Sequence, residues 1–161
     1  MTYANLLAAF TYNPGTGHFI RRYACGSMKR VGKVDGKGYI RFDYQGHTYA
    51  AHRLAFLYMT GVMPSLQIDH INGDRADNRW SNMRLATPSQ NTINSNSKLG
   101  VAGMRGVSRM QWGDRVVWQA RIQANGKRIQ LGYYNNKDEA YQAYRKAALV
   151  YHGPYSSLDR A

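Results

Sequence analysis

The sequence predicts an α+β protein with two units. The first carries hairpins and helices that lead into a strand, long loop, strand and helix. The second is a small three-stranded sheet packed on one helix. Three observations predict this class: apolar and polar residues alternate over short stretches, turn-forming residues separate those stretches, and apolar residues recur at helical spacing in Ala51–Thr60. We therefore expect a mixed architecture rather than an all-α or all-β one.

The elements of the first unit follow from local signals. In chain order we expect a helix over Thr2–Phe10, a turn over Tyr12–Gly17, a strand over His18–Tyr23, a hairpin of Tyr39–Phe42 with His47–Ala50, and a helix over Ala51–Thr60 that ends at Gly61. The segment Gly26–Gly38 is basic and rich in glycine. Two interpretations of it stay open, a solvated loop and a phosphate contact.

The second unit shows strand and hairpin signals before its helix. A strand begins at Gly106, and Trp118–Ala124 and Arg128–Tyr133 flank Asn125-Gly126, a two-residue hairpin signal. Asn136 is the expected cap of a helix over Lys137–Tyr151 whose stripe of small residues can lie close to a sheet. We place the domain boundaries at 1–94 and 105–161. Between them, 95–104 has the composition of a linker, which is either a plain tether or a segment that lies along DNA.

The charge of the chain predicts a polyanionic partner. Its 161 residues include 22 Lys and Arg against 9 Asp and Glu, a net charge of +13. Both parts are basic, with net +7 in residues 1–98 and +6 in residues 99–161. Nucleic acid is favoured over a membrane surface because no basic amphipathic helix stands out. The single cysteine excludes an internal disulfide and is typical of an intracellular, reducing compartment.

The stretch from Ile68 to Asn94 concentrates the residues that can carry chemistry. Asp69 at a strand end and Asn91 in the first turns of a helix can hold one divalent cation through oxygen, which favours Mg²⁺ or Mn²⁺. His70 alternates to the other face of the strand, where it can deprotonate a water molecule. Asn82 can hydrogen bond with the ring and fix its tautomer. The plain alternative is that the Asp-His pair is a local cap and that the Asn-rich loop forms turns.

The order of these residues resembles the HNH nuclease family, in its phage and intron-encoded branch. The matching stretch reads DHINGDRADNRWSNMRLATPSQNTIN, from Asp69 to Asn94. The resemblance implies a ββα-metal nuclease, with Asp69 and Asn91 as metal ligands, His70 as the general base and Asn82 as the residue that orients it. So many matched positions in order favour the nuclease over a purely structural loop.

The segment after the linker is similar to the AP2 DNA-binding domain. The matches include Arg105-Gly106-Val107, Trp112-Gly113, Gly126-Lys127-Arg128 and Leu131-Gly132. The resemblance implies that the sheet contacts DNA, and the residues we expect to do so are Arg105, Arg109, Trp112, Arg121, Lys127 and Arg128. Ser108, Gln123 and Gln130 depart from the plant domains, so the plant target sequence is not carried over.

These features predict a metal-dependent DNA endonuclease of the homing type, with one Mg²⁺ or Mn²⁺ per active site and a C-terminal targeting domain. We expect double-stranded DNA as the partner, no membrane, no small-molecule cofactor and a monomer in solution. The expected location is the cytoplasm of a phage-infected or bacterial cell. The alternative is a DNA-binding regulator whose nuclease unit is silent. The intact set of Asp69, His70, Asn82 and Asn91 favours the enzyme.

Overall fold

The computed structural model describes residues 1–94, 104–124 and 126–156, and it has the mixed α+β composition that the sequence predicts. The chain divides into two compact units, Met1–Asn91 and Thr92–Ala161. Within the part of the chain that the structure describes, none of the helices combines the length and the apolar character that a membrane span requires.

The first unit begins with a helix and a series of antiparallel strands. Its elements are α1 (Tyr3–Ala9), β1 (Phe10–Asn13), β2 (His18–Arg22), β3 (Met28–Val31), β4 (Lys33–Val34), β5 (Ile40–Tyr44), β6 (His47–Ala50), α2 (Ala51–Thr60), β7 (Gln67–His70), a 3-10 turn (Trp80–Asn82), β8 (Met83–Ala86) and the start of α3 (Pro88–Asn94), whose residues after Asn91 belong to the second unit. The basic segment Gly26–Gly38 is therefore not simply a loop, because it contains β3 and β4. The helix over Ala51–Thr60 has the predicted bounds, and Gly61 ends it in the left-handed conformation, at φ 75°.

Aromatic and aliphatic side chains form the core of this unit. β1, β2 and β3 form one sheet and β4, β5 and β6 another. Phe10 and Phe19 on the first sheet pack on Phe42 of the second, with ring centroids 5.1 and 5.4 Å from that of Phe42. Leu6 of α1 and Leu54 of α2 complete the core and are almost fully buried. This core fixes the first turn of α2 beside the strand that carries Asp69 and His70.

The predicted strand, loop, strand and helix are all present. β7 and β8 pair in antiparallel orientation, and α3 follows directly. A reciprocal capping box starts α3: the backbone N–H of Thr87 donates to Gln90 Oε1 at 2.8 Å, and the N–H of Gln90 donates to Thr87 Oγ1 at 3.3 Å. The cap fixes where the helix begins and hence where Asn91 lies.

The second unit is a three-stranded antiparallel sheet with one helix. Its elements are β9 (Val107–Trp112), β10 (Arg115–Ala124), β11 (Lys127–Tyr134), α4 (Lys137–His152) and a 3-10 turn (Gly153–Tyr155), with the sheet order β11-β10-β9. Ala140, Tyr144 and Ala148 of α4 are buried against the sheet. Ala124 pairs with Lys127, so two residues connect β10 to β11, as the sequence predicts. Asn125 and most of the expected linker, residues 95–103, lie outside the described residues.

Candidate active site

Asp69 is a buried carboxylate that is paired across the small sheet. It lies opposite Arg84 in the β7–β8 register, and its side chain is 5% exposed. Nε and Nη2 of Arg84 both lie 2.7 Å from Asp69 Oδ2. The cross-strand position fixes both side chains, so the guanidinium orients the carboxylate and offsets its charge.

His70 is buried at the end of the same strand, with 5% of its surface exposed. Its Nε2 lies 3.0 Å from Asn78 Oδ1. An amide oxygen only accepts, so Nε2 carries the proton and the lone pair is on Nδ1. Burial lowers the pKa of His70, although the hydrogen bond to Asn78 and the charge of Asp69 act in the opposite direction. The ring is therefore neutral at pH 7 and can accept a proton.

Asn82 does not make the contact predicted for it. Its Oδ1 accepts from the backbone N–H of Asn72 at 3.0 Å, and its Nδ2 donates to Asn72 Oδ1 at 3.0 Å and to the carbonyl of Asp77 at 2.8 Å. The predicted hydrogen bond from the ring of His70 to Asn82 is therefore wrong, because the amide of Asn82 bonds within the β7–β8 loop, to Asn72 and Asp77. Asn78 is the residue that the sequence reasoning missed. Its position in an Asn- and Asp-rich loop gave no signal beyond turn formation.

The loop between β7 and β8 is held by its own polar side chains. Asn72 Nδ2 donates to Asp77 Oδ2 at 2.8 Å, and Arg79 Nε donates to Asp77 Oδ1 at 2.8 Å. The hydrogen bonds from Arg79 lower the pKa of Asp77, so the carboxylate stays ionised and available as an acceptor. The loop thus keeps one shape, and Asn78 within it is 1% exposed.

The hairpin formed by β1 and β2, here called the first hairpin, supports the backbone of Asn78 from outside this loop. The hydroxyl of Tyr12 donates to the carbonyl of Asn78 at 2.7 Å, and the N–H of Trp80 donates to the carbonyl of Pro14 at 2.9 Å. Gly17 has φ 74°, and a Cβ added there would lie 2.4 Å from the carbonyl carbon of Asn78. Only glycine fits this approach. The orientation of His70 thus depends on residues that lie far from it in sequence.

Asn91 lies on the face of β7 that carries Asp69. Its Nδ2 donates to Gln67 Oε1 at 2.7 Å, and Gln67 and Asp69 are two residues apart on one strand and so share a face. With the amide nitrogen engaged, the oxygen of Asn91 is the atom left to bind a cation. In the described part of the chain, no group of three or more His, Cys, Asp or Glu side chains can hold a metal ion. One carboxylate and one amide oxygen nevertheless fit a hard cation that keeps several waters.

A second histidine, His52, lies beside His70. The ring centroids are 5.6 Å apart and the ring planes meet at 74°. Tyr39 contacts both rings, with centroid distances of 4.9 Å to His52 and 6.1 Å to His70. Burial, reinforced by the charges of His70 and Arg53, lowers the pKa of His52 to about 4, so this ring is also neutral at pH 7.

Residues 49–93, from the end of β6 to α3, match the family model of the HNH endonuclease. This segment of the chain is therefore similar to an HNH endonuclease domain. An uncharacterized HNH endonuclease of Acanthamoeba polyphaga mimivirus is 27% identical over 127 residues, which is 78% of this chain. The match spans 65% of that relative's own length. A solved structure of DNA binding and cleavage by the HNH homing endonuclease I-HmuI aligns over 95% of this chain and 90% of that one, with 16% identity and a TM-score of 0.47.

The predicted DNA-contacting residues of the second unit divide between the two sides of its sheet. Ala120 and Ile122 of β10 face α4, so Arg121 points away from the helix. Trp112 and Arg128 share that open side, because they pair with Arg115 and Gln123. We call this surface, formed by Trp112, Arg115, Gln119, Arg121, Gln123, Arg128, Gln130 and Tyr133, the open sheet face.

The other three predicted contacts lie elsewhere. Arg109 pairs with Trp118 and Lys127 pairs with Ala124, which places both on the helix side. Arg105 Nη1 donates to the carbonyl of Ile93 at 2.6 Å, inside the second unit. These three residues are therefore not part of the open sheet face.

Proposed function

We propose that this chain is a metal-dependent DNA endonuclease of the homing type. The observation that carries the proposal is the buried, neutral imidazole of His70, whose Nε2 is occupied by Asn78 and which directly follows a buried carboxylate inside an HNH domain. A neutral imidazole with a fixed tautomer can take a proton from an attacking water molecule. Asn78 is proposed to position the imidazole by its hydrogen bond to the ring. Asn82 is proposed to do so indirectly, by holding the β7–β8 loop that contains Asn78.

Asp69 and Asn91 are the proposed ligands of one Mg²⁺ or Mn²⁺. Such a cation supplies Lewis-acid stabilisation of charge on the scissile phosphate and on the leaving oxygen. Arg84 holds the carboxylate of Asp69 in one orientation, and Gln67 turns the amide of Asn91 so that its oxygen can serve as the donor. Both ligands are thus fixed before DNA binds.

The open sheet face is the proposed DNA-binding surface of the AP2-like second unit. Trp112 is 53% exposed, and its ring centroid lies 4.6 Å from that of Tyr133. Gln119 Nε2 lies 3.4 Å from Gln130 Oε1, so two amides lie side by side next to the basic side chains. Arginine and glutamine are residues that read base edges, and the charge of this face complements phosphate.

A catalytically silent DNA-binding regulator is the alternative. It would keep the basic surfaces but would not need a buried carboxylate, a neutral histidine with a fixed tautomer and an oriented amide in one domain. These groups cost stability when they are buried, which favours the enzyme.

The test is incubation of the purified chain with supercoiled plasmid in Mg²⁺, in Mn²⁺ or in EDTA. We expect cleavage with either metal and none in EDTA. His70→Ala should reduce the rate about 10²–10⁴-fold and leave DNA binding intact, because the base acts only in the chemical step. The matched control is His47→Ala, since His47 is exposed on β6. Metal-independent DNA binding without cleavage would identify the regulator. Nicked or linear product distinguishes cleavage of one strand from cleavage of both.

A further inference from the structure

Two buried polar atoms adjoin His70 without a hydrogen-bond partner. Over residues 1–94, 104–124 and 126–156, the buried side-chain nitrogen and oxygen atoms without such a partner are His52 Nδ1 and Asn78 Nδ2. Both residues contact the ring of His70, Asn78 through its hydrogen bond and His52 through its ring. An unpaired buried polar atom lowers stability, because it has lost its hydrogen bonds to water without replacing them. Two such costs beside one imidazole are not what packing alone would favour.

His52 has a fixed place in the first turn of α2. Its neighbours Ala51 and Leu54 are each 1% exposed and anchor the helix in the core. The ring contacts Tyr39, which directly precedes β5, and His70, the last residue of β7. The imidazole is thus held against the ring of His70 by the fold and not by a hydrogen bond at Nδ1.

A phenyl ring would fill this position at a lower cost. It has nearly the same shape, could keep the contacts with Tyr39 and His70, and would bury no nitrogen. Since His52 is neutral at pH 7, it also contributes no charge to the site. What the imidazole adds over a phenyl ring is the unpaired Nδ1 itself. Buried polar groups that lower stability in this way are expected at functional sites.

We propose that His52 is a positioning residue of the nuclease site, which holds the ring of His70 and whose Nδ1 gains its hydrogen-bond partner when DNA and the attacking water are bound. This inference rests on the proposed function. Catalytic hydrogen bonds often form only in the substrate complex, so a missing partner in the free protein agrees with such a role. Nδ2 of Asn78, the other residue that contacts the ring of His70, is also buried without a hydrogen-bond partner.

The experiment compares two substitutions that separate the ring from its nitrogen. His52→Phe keeps the ring and removes Nδ1, whereas His52→Asn keeps a polar atom near the position of Nδ1 and removes most of the ring. The matched control is His47→Phe, which alters an exposed histidine. Thermal unfolding, the KM for a DNA substrate and kcat are measured for each, together with wild type and His70→Ala.

We expect His52→Phe to unfold at the wild-type temperature or above it, to keep the wild-type KM and to lower kcat about 10- to 100-fold. His52→Asn should retain more kcat than His52→Phe although it is less stable. Full kcat in His52→Phe would overturn the proposal, and so would a fall in kcat that follows the unfolding temperature across both variants. Should His52→Phe fail to fold, the ring position is purely structural and the proposal is overturned.

The two proposals fail in different ways. If the wild-type protein is inactive under all metal conditions, the proposed nuclease function is refuted, and so is the role of His52. If wild type is active, His70→Ala is inactive and His52→Phe is fully active, only the proposed role of His52 is refuted.

Discussion

The imidazole of His70 and the carboxamide of Asn78 share a buried hydrogen bond of 3.0 Å between Nε2 and Oδ1. The backbone of Asn78 is in turn held by the hydroxyl of Tyr12 at 2.7 Å. The ring orientation that the proposed general-base role of His70 needs therefore depends on the β7–β8 loop and on the first hairpin together.

Asn78→Ala should lower kcat about 10- to 100-fold with little change in DNA affinity, because it removes the hydrogen bond that fixes the orientation and tautomer of the ring. Single-turnover cleavage and fluorescence anisotropy measure the two quantities. Asn82→Ala is the comparison variant: it should mainly lower the unfolding temperature, since Asn82 links Asn72 to Asp77. If Asn82→Ala impairs kcat more than Asn78→Ala at equal stability, the assignment of Asn78 is wrong.

Asn91→Ala should raise the Mg²⁺ concentration needed for half-maximal cleavage, because it removes one of two proposed oxygen ligands. Asn91→Asp should keep or lower that concentration, since it adds charge to a hard-oxygen ligand. Metal titrations of the cleavage rate measure both, with His47→Ala as the control. An unchanged half-saturation in both Asn91→Ala and Asp69→Ala would contradict the ligand assignment.

Arg84→Met should destabilise the protein by about 3 kcal/mol, because it leaves the carboxylate of Asp69 buried without its charged partner. Urea unfolding in EDTA measures the loss. Arg79→Met is the control: the side chain of Arg79 is 53% exposed beside Asp77, against 17% for Arg84, so its ion pair is screened and should contribute less than about 1 kcal/mol. Equal losses would mean that the Asp69–Arg84 pair behaves as a surface pair.

The stability of the protein should fall as pH drops from about 6.5 to about 4. Burial lowers the pKa of His52 to about 4, with His70, Arg53 and Arg41 acting in the same direction and Asp35 against it. Above pH 6.5 the residue is neutral in both states. Below it the unfolded chain takes up the proton first, so the free energy of unfolding decreases, by on the order of 3 kcal/mol in total.

Urea unfolding across this pH range tests the sign and the origin of the effect. His52→Phe should flatten the dependence without abolishing it, because the pKa of His70 is lowered as well. An identical pH profile in wild type and His52→Phe would show that His52 does not contribute.

Arg121→Gln combined with Arg128→Gln should weaken DNA binding and reduce its salt dependence, because both residues lie on the open sheet face. The slope of log K against log salt should fall by about 0.9 for each phosphate that the protein no longer neutralises. Lys127→Gln, on the helix side, is the matched control and should change the slope less. If Lys127→Gln has the larger effect, DNA binds to the other side of the sheet.

Local signals in the sequence were enough for the strands and the helix around the site. The capping box that starts α3 involves only the four residues from Thr87 to Gln90, so this helix start can be recognised from the sequence without any tertiary contact. The bounds of α2 follow from helical spacing and from Gly61 in the same way.

The partner of His70 could not be predicted because it depends on tertiary contacts. The position of Asn78 depends on Tyr12, and several asparagines in the loop have the same local preferences. The side of the sheet on which Arg109 lies is different. Val107 is buried against α4 and Arg109 is two residues later on the same strand, so strand alternation places Arg109 on the helix side.

The close approach of Gly17 to Asn78 bears on how this domain is transplanted or trimmed. The segment that matches the family model begins at residue 49, whereas the contacts that support Asn78, and through it His70, come from Tyr12 and Gly17, which precede that segment in the chain. A chimaera that carries only the matched segment would keep the proposed catalytic side chains but would lose the contacts that support them. Inactivating substitutions recovered in a genetic screen should therefore also map to Tyr12 and Gly17, upstream of the matched segment, and a functional cassette has to start before the first hairpin.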